Sequence, residues 1–260
     1  MPNLSQIMAL KEKFGVLTRP EERAKEFIER NRLKSDSIKK AFSFNERQLL
    51  ENFDVANSRP DLINYFEGNP VEEVVLLFID ITGFSKIIQN KSPLELKSYL
   101  NDYYSTLIPI IYKNEGQIEK IMGDGIICVF GKPFMVSSIT SWATMKAENC
   151  SKEAIETFKG TDKAVKVAIN IGTVTYYKVP SDFYDEYTMI GNPLTELYRL
   201  ESVSNGDAIN FYAGSKYDQF NPKDGFNIFT DIDKNSVQIY GRDVSLPGVN
   251  YSRLRYLKFL

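Results

Sequence analysis

The stretch "FIDITGFSK", residues 78–86, carries an apolar, strand-like run into Asp80 and then loops through Thr82 and Gly83. A carboxylate at the end of such a strand must be hydrogen-bonded, paired or metal-bound, because a charge left alone in a dry site is strongly penalised. From this stretch alone a helix cap, a structural ion pair and a metal ligand all remain open. A second acid, Asp124, lies between glycines in "EKIMGDGIICVFG". Two strand-like runs meet there at a tight turn, so Asp124 is displayed at a hairpin tip. Two converging carboxylates suit oxygen-preferring ions, Mg²⁺ or Mn²⁺, better than zinc. The chain has no histidine, which removes imidazole bases, His-ligated zinc and His-based triads. Any catalysis must rest on carboxylates, metal ions, lysine and arginine.

These acids need strands and helices to position them, and the pattern of the chain supplies both. "VEEVVLLFID" is a near-continuous apolar strand of the buried kind. After the Asp80 loop, Ser92, Pro93 and Glu95 open a helix with a capping box, and Leu96, Leu100, Tyr103, Leu107 and Ile111 recur at helical spacing. Gly116 suits the helix stop. A second helix is expected over about residues 140–159, then a strand, a glycine bend at Gly172 and another strand in "KAVKVAINIGTVTYYKV". "NPLTELYRLES" reads as a short helix with Pro193 near its start, and "GDAINF", "GFNIFTDI", "SVQIYG" and "YSRLRYLKF" as further strands. The order strand, helix, strand, strand, helix, strand predicts an α+β fold: a ferredoxin-like split βαβ core with appended strands and helices. In that topology the first and third secondary elements are expected to be neighbouring strands, which brings Asp80 and Asp124 together.

Residues 1–66 have a different texture, rich in Lys, Glu, Arg and Asn with helix-compatible segments such as "PEERAKEFIERNRL". They read as an N-terminal helical accessory region, with residues 67–260 forming the main domain. At 43% apolar and 25% charged residues, the 260-residue chain has a globular composition. Its formal charge of −2 argues against a general nucleic-acid binder. Apolar runs such as "VVLLFI" are far shorter than a bilayer span, and no leader pattern opens the chain. A cytoplasmic protein is expected, with Cys128 and Cys150 as reduced packing residues. Neither a P-loop nor a G-x-G-x-x-G fingerprint occurs.

"FIDITGFS" followed by a helix, then "EKIMGDGIICVFG", then "YTMIG" and "RLES", in that order and spacing, resembles the catalytic domain of class III nucleotidyl cyclases over about residues 72–257. The resemblance implies that Asp80 and Asp124 bind two Mg²⁺ or Mn²⁺ ions with the Ile81 carbonyl as a further ligand. It places the backbone amides of Thr82, Gly83 and Phe84 near the triphosphate. It makes Lys120 and Thr188 the base-reading pair, and Arg199 the group that steadies charge at the reacting phosphate. It also implies a head-to-tail homodimer with sites at the interface. Lys120 and Asp124 fit such a division, since four residues of strand separate their backbones by about 13 Å.

Three departures from the purine-cyclase pattern stand out. Thr195 replaces an asparagine four residues before Arg199, Leu197 and Tyr198 replace small residues, and Pro247 replaces a phosphate-binding lysine, with Arg242, Arg253 and Arg255 as nearby substitutes. If the chain is a short cyclase with no recognisable sensor module, as expected here, this erosion makes it resemble the pyrimidine cyclases of bacterial antiphage defence, which make cyclic UMP or cyclic CMP for an effector protein. An adenylate cyclase making cyclic AMP, and an inactive nucleotide-sensing domain, are the alternatives; a polymerase-type palm is disfavoured by the net charge.

Overall fold

The computed structural model describes residues 65–135, 140–178, 187–220 and 237–259. Most of the expected N-terminal helical region and the strand expected in "GFNIFTDI" lie outside them. Residues 70–176 and 189–260 belong to one compact unit. Among the described residues the strands are, in chain order, β1 (Val71–Ile81), β2 (Gln117–Met122), β3 (Gly125–Phe130), β4 (Val165–Lys178), β5 (Tyr187–Ile190), β6 (Ile209–Tyr212), β7 (Val237–Asp243) and β8 (Arg253–Phe259), and they form one sheet in the order β2-β3-β1-β4-β6-β8-β7, with β5 paired to β4.

The centre of this sheet is β1 (Val71–Ile81), whose residues 74–79 are all buried. Both faces of β1 are covered, which is why it reads as an unbroken apolar run rather than an alternating one. One face presents Val75, Leu77, Ile79 and Ile81 to the main core, together with Ile126, Cys128 and Phe130 of β3 (Gly125–Phe130) and Val165, Val167, Ile169 and Ile171 of β4 (Val165–Lys178). A short helix, α1 (Phe84–Ile87), follows β1. Helices α2 (Pro93–Lys113) and α3 (Thr140–Phe158) supply Tyr103, Leu107, Ile111, Ala147, Cys150, Ala154 and Phe158 to the same core. Each fully buried aliphatic or aromatic side chain of this set contributes roughly 1.5–3 kcal/mol. The opposite face of β1, with Val74, Leu76, Phe78 and Asp80, lies towards α4 (Asn192–Glu201).

The expected α+β core is present, with one change in its layout. The neighbours of β1 are β3 and β4, both antiparallel to it, while β2 (Gln117–Met122) pairs with β3 one place further out. In a split βαβ unit the crossover helix returns the chain one strand away, and the hairpin partner β3 fills the gap. The β2–β3 turn therefore brings Asp124 back beside the end of β1.

Local chemistry explains the boundaries. Ser92 and Glu95 form the expected capping box at the start of α2. At its end the left-handed residue is Glu115, with φ of 64°, and not Gly116. Gly116 is needed for space, since a Cβ there would lie 2.6 Å from the Phe130 ring. Gly172 likewise makes no bend: β4 is a single 14-residue strand. A Cβ at Gly172 would meet Pro193 at 2.3 Å, so the glycine admits the start of α4 against the sheet. Asn170, buried on the same face, donates to the Pro193 carbonyl and to Glu196 and fixes that helix further.

Glu148 of α3 is 2% exposed, and burial pushes its carboxyl up to about 8. The Tyr217 hydroxyl faces it, though neither that hydroxyl nor Glu148 Oε2 completes a well-formed hydrogen bond. The folded protein thus keeps a proton on Glu148 that the unfolded chain releases near its ordinary value of 4.5. Stability falls as pH rises between those two values. Urea unfolding in chelator between about pH 6.5 and pH 8.5 should show this decline, and Glu148→Gln should flatten it.

Candidate metal and nucleotide site

Asp80 and Asp124 meet because the β1–β3 ladder ends at the pair Ile79–Ile126, one step before the hairpin turn. Asp124 Oδ2 accepts from the Ile81 N–H at 3.3 Å, and the two aspartate side chains are within hydrogen-bonding reach of each other. Gly123, with φ of 63°, takes a turn conformation that other residues adopt at a cost. Gly125 makes the approach possible: a Cβ there would lie 2.5 Å from the Phe78 ring and 3.2 Å from Asp80 Oδ1. The Tyr104 hydroxyl of α2 donates to the Gly123 carbonyl and pins the turn from the other side.

The charges around this pair are unevenly balanced. Burial, and then the facing carboxylate of Asp124, push Asp80 up to about 6. Asp124 is also raised, chiefly by burial. Lys166 stands directly across from Asp80 on β4. Its Nζ lies 3.3 Å from Asp80 Oδ2 and 2.5 Å from Glu201 Oε1 at the end of α4. Burial opposes the Lys166 charge, but its two carboxylate partners more than offset this and hold its pKa above the ordinary range. Three clustered carboxylates with one ammonium leave a local deficit of positive charge, and hard oxygen donors of this kind fit Mg²⁺ or Mn²⁺. Asp80, Asp124 and the Ile81 carbonyl are the groups of this chain that would hold such ions. Among the described residues no group of three or more His, Cys, Asp or Glu side chains is placed to hold a metal ion, so the chain would offer two carboxylates and a carbonyl, and water and substrate oxygens would finish the coordination, as is usual for Mg²⁺.

The other expected site residues are spread over several elements. Thr82 and Gly83 are exposed in the loop after β1, and Phe84 is half-buried at the start of α1. The Thr82 N–H is already donated to the Ala164 carbonyl at 2.8 Å. Of the three expected phosphate-facing amides, those of Gly83 and Phe84 remain. Lys120 is exposed on β2, just past an irregularity in its register with β3. Thr195 and Arg199 are both exposed and, four residues apart, share one face of α4. The charge of Arg199 acts on the Tyr212 hydroxyl, partly offsetting the rise in its pKa that burial causes. Thr188 is half-buried on β5 (Tyr187–Ile190) and is grouped with the other compact unit, 1–69 and 177–188.

Of the two bulky departures on α4, Leu197 is fully buried and cannot line a site. Tyr198 packs edge-on against Phe78 and approaches Met122 Sδ at 3.8 Å, so it fills space beside β2. Among the basic residues near Pro247, Arg242 donates to the Val203 carbonyl, Arg255 pairs with Asp218, and Arg253 and Arg255 both line an open cleft with Tyr240 and Gly214. Lys166 and Glu201 are not among the site residues that the sequence pattern marks out. The available signal was a lysine near the start of an otherwise apolar strand, which needs an acid partner if it faces inwards.

Residues 66–244 match the family described as the adenylate and guanylate cyclase catalytic domain, and the chain belongs to that family. Its sheet and helices are those of solved class III cyclases. The guanylyl cyclase Cya2 superposes with a TM-score of 0.58 at 21% identity, covering 74% of this chain and 93% of that one. The adenylyl cyclase CyaB from P. aeruginosa gives 0.59 at 20%, covering 72% and 94%. Likenesses at this identity concern the fold. Uncharacterized proteins of Mycobacterium bovis and Mycobacterium tuberculosis are 25% identical over 133 residues, which is 51% of this chain and 24% of theirs. The chain thus spans about a quarter of the length of these curated relatives. Among the described residues no helix is long and apolar enough to cross a membrane.

Gly125→Ala tests how tightly the pair is built. The added methyl has to displace Phe78 or Asp80, which should cost about 1–3 kcal/mol in urea unfolding and weaken Mn²⁺ binding measured by the loss of its free EPR signal. Unchanged values for both would mean that Gly125 does not set the separation of the carboxylates.

Proposed function

We propose that the chain converts a nucleoside triphosphate into a 3′,5′-cyclic nucleotide and pyrophosphate, and that it favours UTP or CTP. The observation that carries the reaction class is the facing Asp80–Asp124 pair on a class III cyclase fold, with burial working against the charge of both. The ribose 3′-hydroxyl attacks the α-phosphorus, its proton leaves to solvent, and the bond to the β-phosphate oxygen breaks with that oxygen retained by pyrophosphate. Divalent ions bound at Asp80 and Asp124 would supply charge neutralisation at the triphosphate and a lower pKa for the attacking hydroxyl. The two carboxylates orient, the Gly83 and Phe84 amides receive phosphate oxygens, and Arg199 opposes charge developing at the α-phosphate. Thr195 stands one helical turn before Arg199, on its face, and takes the position from which a side chain orients the ribose.

A head-to-tail homodimer with shared sites accounts for the exposure of Arg199, Thr195 and Lys120 in the single chain. A structure of the guanylyl cyclase domain of the Blastocladiella emersonii RhoGC fusion protein, which shares the fold at 19% identity and a TM-score of 0.55 and covers 73% of this chain and 98% of that one, is described as a non-canonical dimer; the head-to-tail arrangement proposed for this chain rests on the sequence resemblance. For the base, Lys120 and Thr188 are the recognising pair. The pyrimidine preference rests on Tyr198, which fills the space next to the strand bearing Lys120, and on Thr195 and Pro247 in place of the purine-cyclase residues. Arg253 is our candidate for the missing phosphate contact. The product would then act as a signal for a cyclic-nucleotide-responsive effector, as in antiphage defence. Adenylate cyclase activity is the second reading, favoured by Lys120 with Thr188.

Three measurements follow. Asp80→Asn and Asp124→Asn should each lower turnover with Mn²⁺ by at least about 10²-fold while leaving the circular dichroism spectrum unchanged; near-normal activity in either overturns the metal assignment. Mixing inactive Asp80→Ala with inactive Arg199→Ala should restore roughly a quarter of normal activity, because half of randomly exchanged dimers contain one intact site. No rescue after demonstrated exchange means that each site is contained in one chain. Competition among the four triphosphates at equal concentration, read by product mass, should yield cyclic UMP or cyclic CMP; predominant cyclic AMP would establish the second reading, and no cyclic product would indicate a sensor.

A further inference from the structure

Lys166 and Glu201 lie beside the carboxylate pair, and neither role in the proposed reaction requires them. Period-two geometry puts Asp80 and Lys166 on the same face of adjacent antiparallel strands as a direct cross-strand pair. The Lys166 ammonium touches Asp80 Oδ2 at 3.3 Å and Glu201 Oε1 at 2.5 Å, with the three side chains only 18%, 17% and 17% exposed. A lysine this enclosed stays charged only when paired.

We propose that Lys166 is a positioning residue of the metal site: a resident cation that holds the Asp80 carboxylate, competes with divalent ions for it, and so makes firm metal binding depend on the triphosphate. The inference rests on the reading of Asp80 and Asp124 as metal carboxylates. The charge count supports it. Asp80, Asp124 and Glu201 bring three negative charges and Lys166 one positive charge, whereas two divalent ions bring four positive charges. Without a nucleotide the second ion would create a positive excess in a half-buried site, and Lys166 makes that excess larger. The oxygens of an arriving triphosphate reverse the balance.

Glu201 gives the device its second position. When an ion takes Asp80 Oδ2, the ammonium remains paired with Glu201 and need not be expelled or left buried without a partner. Glu201 also ends α4, the helix that bears Thr195 and Arg199. The same contact therefore ties the metal carboxylate on β1 to the helix that presents the charge-stabilising arginine.

Mn²⁺ titrations of the nucleotide-free protein, read by the EPR signal of the free ion, test this directly. Lys166→Met should bind Mn²⁺ at least about tenfold more tightly than wild type, and Lys166→Arg should stay near the wild-type value. Glu201→Gln should weaken Mn²⁺ binding, because Lys166 then has Asp80 as its sole carboxylate partner of the two. With a non-hydrolysable triphosphate present, the advantage of Lys166→Met should shrink. Unchanged or weaker Mn²⁺ binding by a Lys166→Met protein with wild-type near-ultraviolet circular dichroism overturns the proposal; should that variant fail to fold, unaltered or tighter binding by Glu201→Gln does so. Adding Asp80→Asn to each background separates the two claims: Mn²⁺ binding that persists in it refutes the metal assignment itself, whereas binding that vanishes leaves the Lys166 comparison as the deciding result.

Discussion

Two carboxylates held within reach of each other in a half-buried site repel, and everything around Asp80 and Asp124 can be read as the means of keeping them there. Burial raises the pKa of both, and the mutual repulsion adds to it for Asp80. The fold resists their separation with covalent and packing constraints. Asp80 is fixed in the last turns of a strand paired on both sides, and Asp124 is clamped between two glycines in a turn bonded to Tyr104. An arrangement that is electrostatically unfavourable alone becomes favourable when divalent cations and a triphosphate share it, which is how a binding site gains its selectivity for a charged complex.

The sheet supplies the register that this arrangement needs. A slip of one residue between β1 and β4 would turn Asp80 into the main core and Lys166 away from it. Residues 74–79 of β1 are apolar and buried on both faces, so the register is enforced at the charged end: a slip would carry the Asp80 carboxylate into the main core without its Lys166 partner. On the other face, Gly172 and Asn170 seat α4 against the sheet. The position of Glu201, and with it the second partner of Lys166, follows from that seating.

Much of this was legible in the sequence because its signals are local. The buried strand ending in Asp80, the capping box at Ser92 and Glu95, and the glycine-flanked Asp124 are all set by neighbours a few residues away. What was not legible depended on contacts distant in the chain. Gly172 reads as a bend by local rules, yet it serves Pro193, and Gly116 reads as a helix stop while Glu115 takes the left-handed conformation. Leu197 stands out in the sequence as a departure from the purine-cyclase pattern, and the fold buries it fully. Lys166 and Glu201 are ordinary charged residues until the β1–β4 register and the end of α4 bring them to Asp80. The order of fragments conveyed the family, matched over residues 66–244, more reliably than any one fragment.

The central claim is that Asp80 and Asp124 together hold the divalent ions that meet the triphosphate. Anomalous diffraction at the manganese edge, from crystals grown with Mn²⁺ and a non-hydrolysable nucleoside triphosphate, tests it most directly. The account predicts manganese peaks between the two carboxylates, within coordinating distance of the Ile81 carbonyl and of phosphate oxygens. Ordered nucleotide with manganese bound elsewhere, or with Asp80 still joined to Lys166 and free of metal, would contradict it.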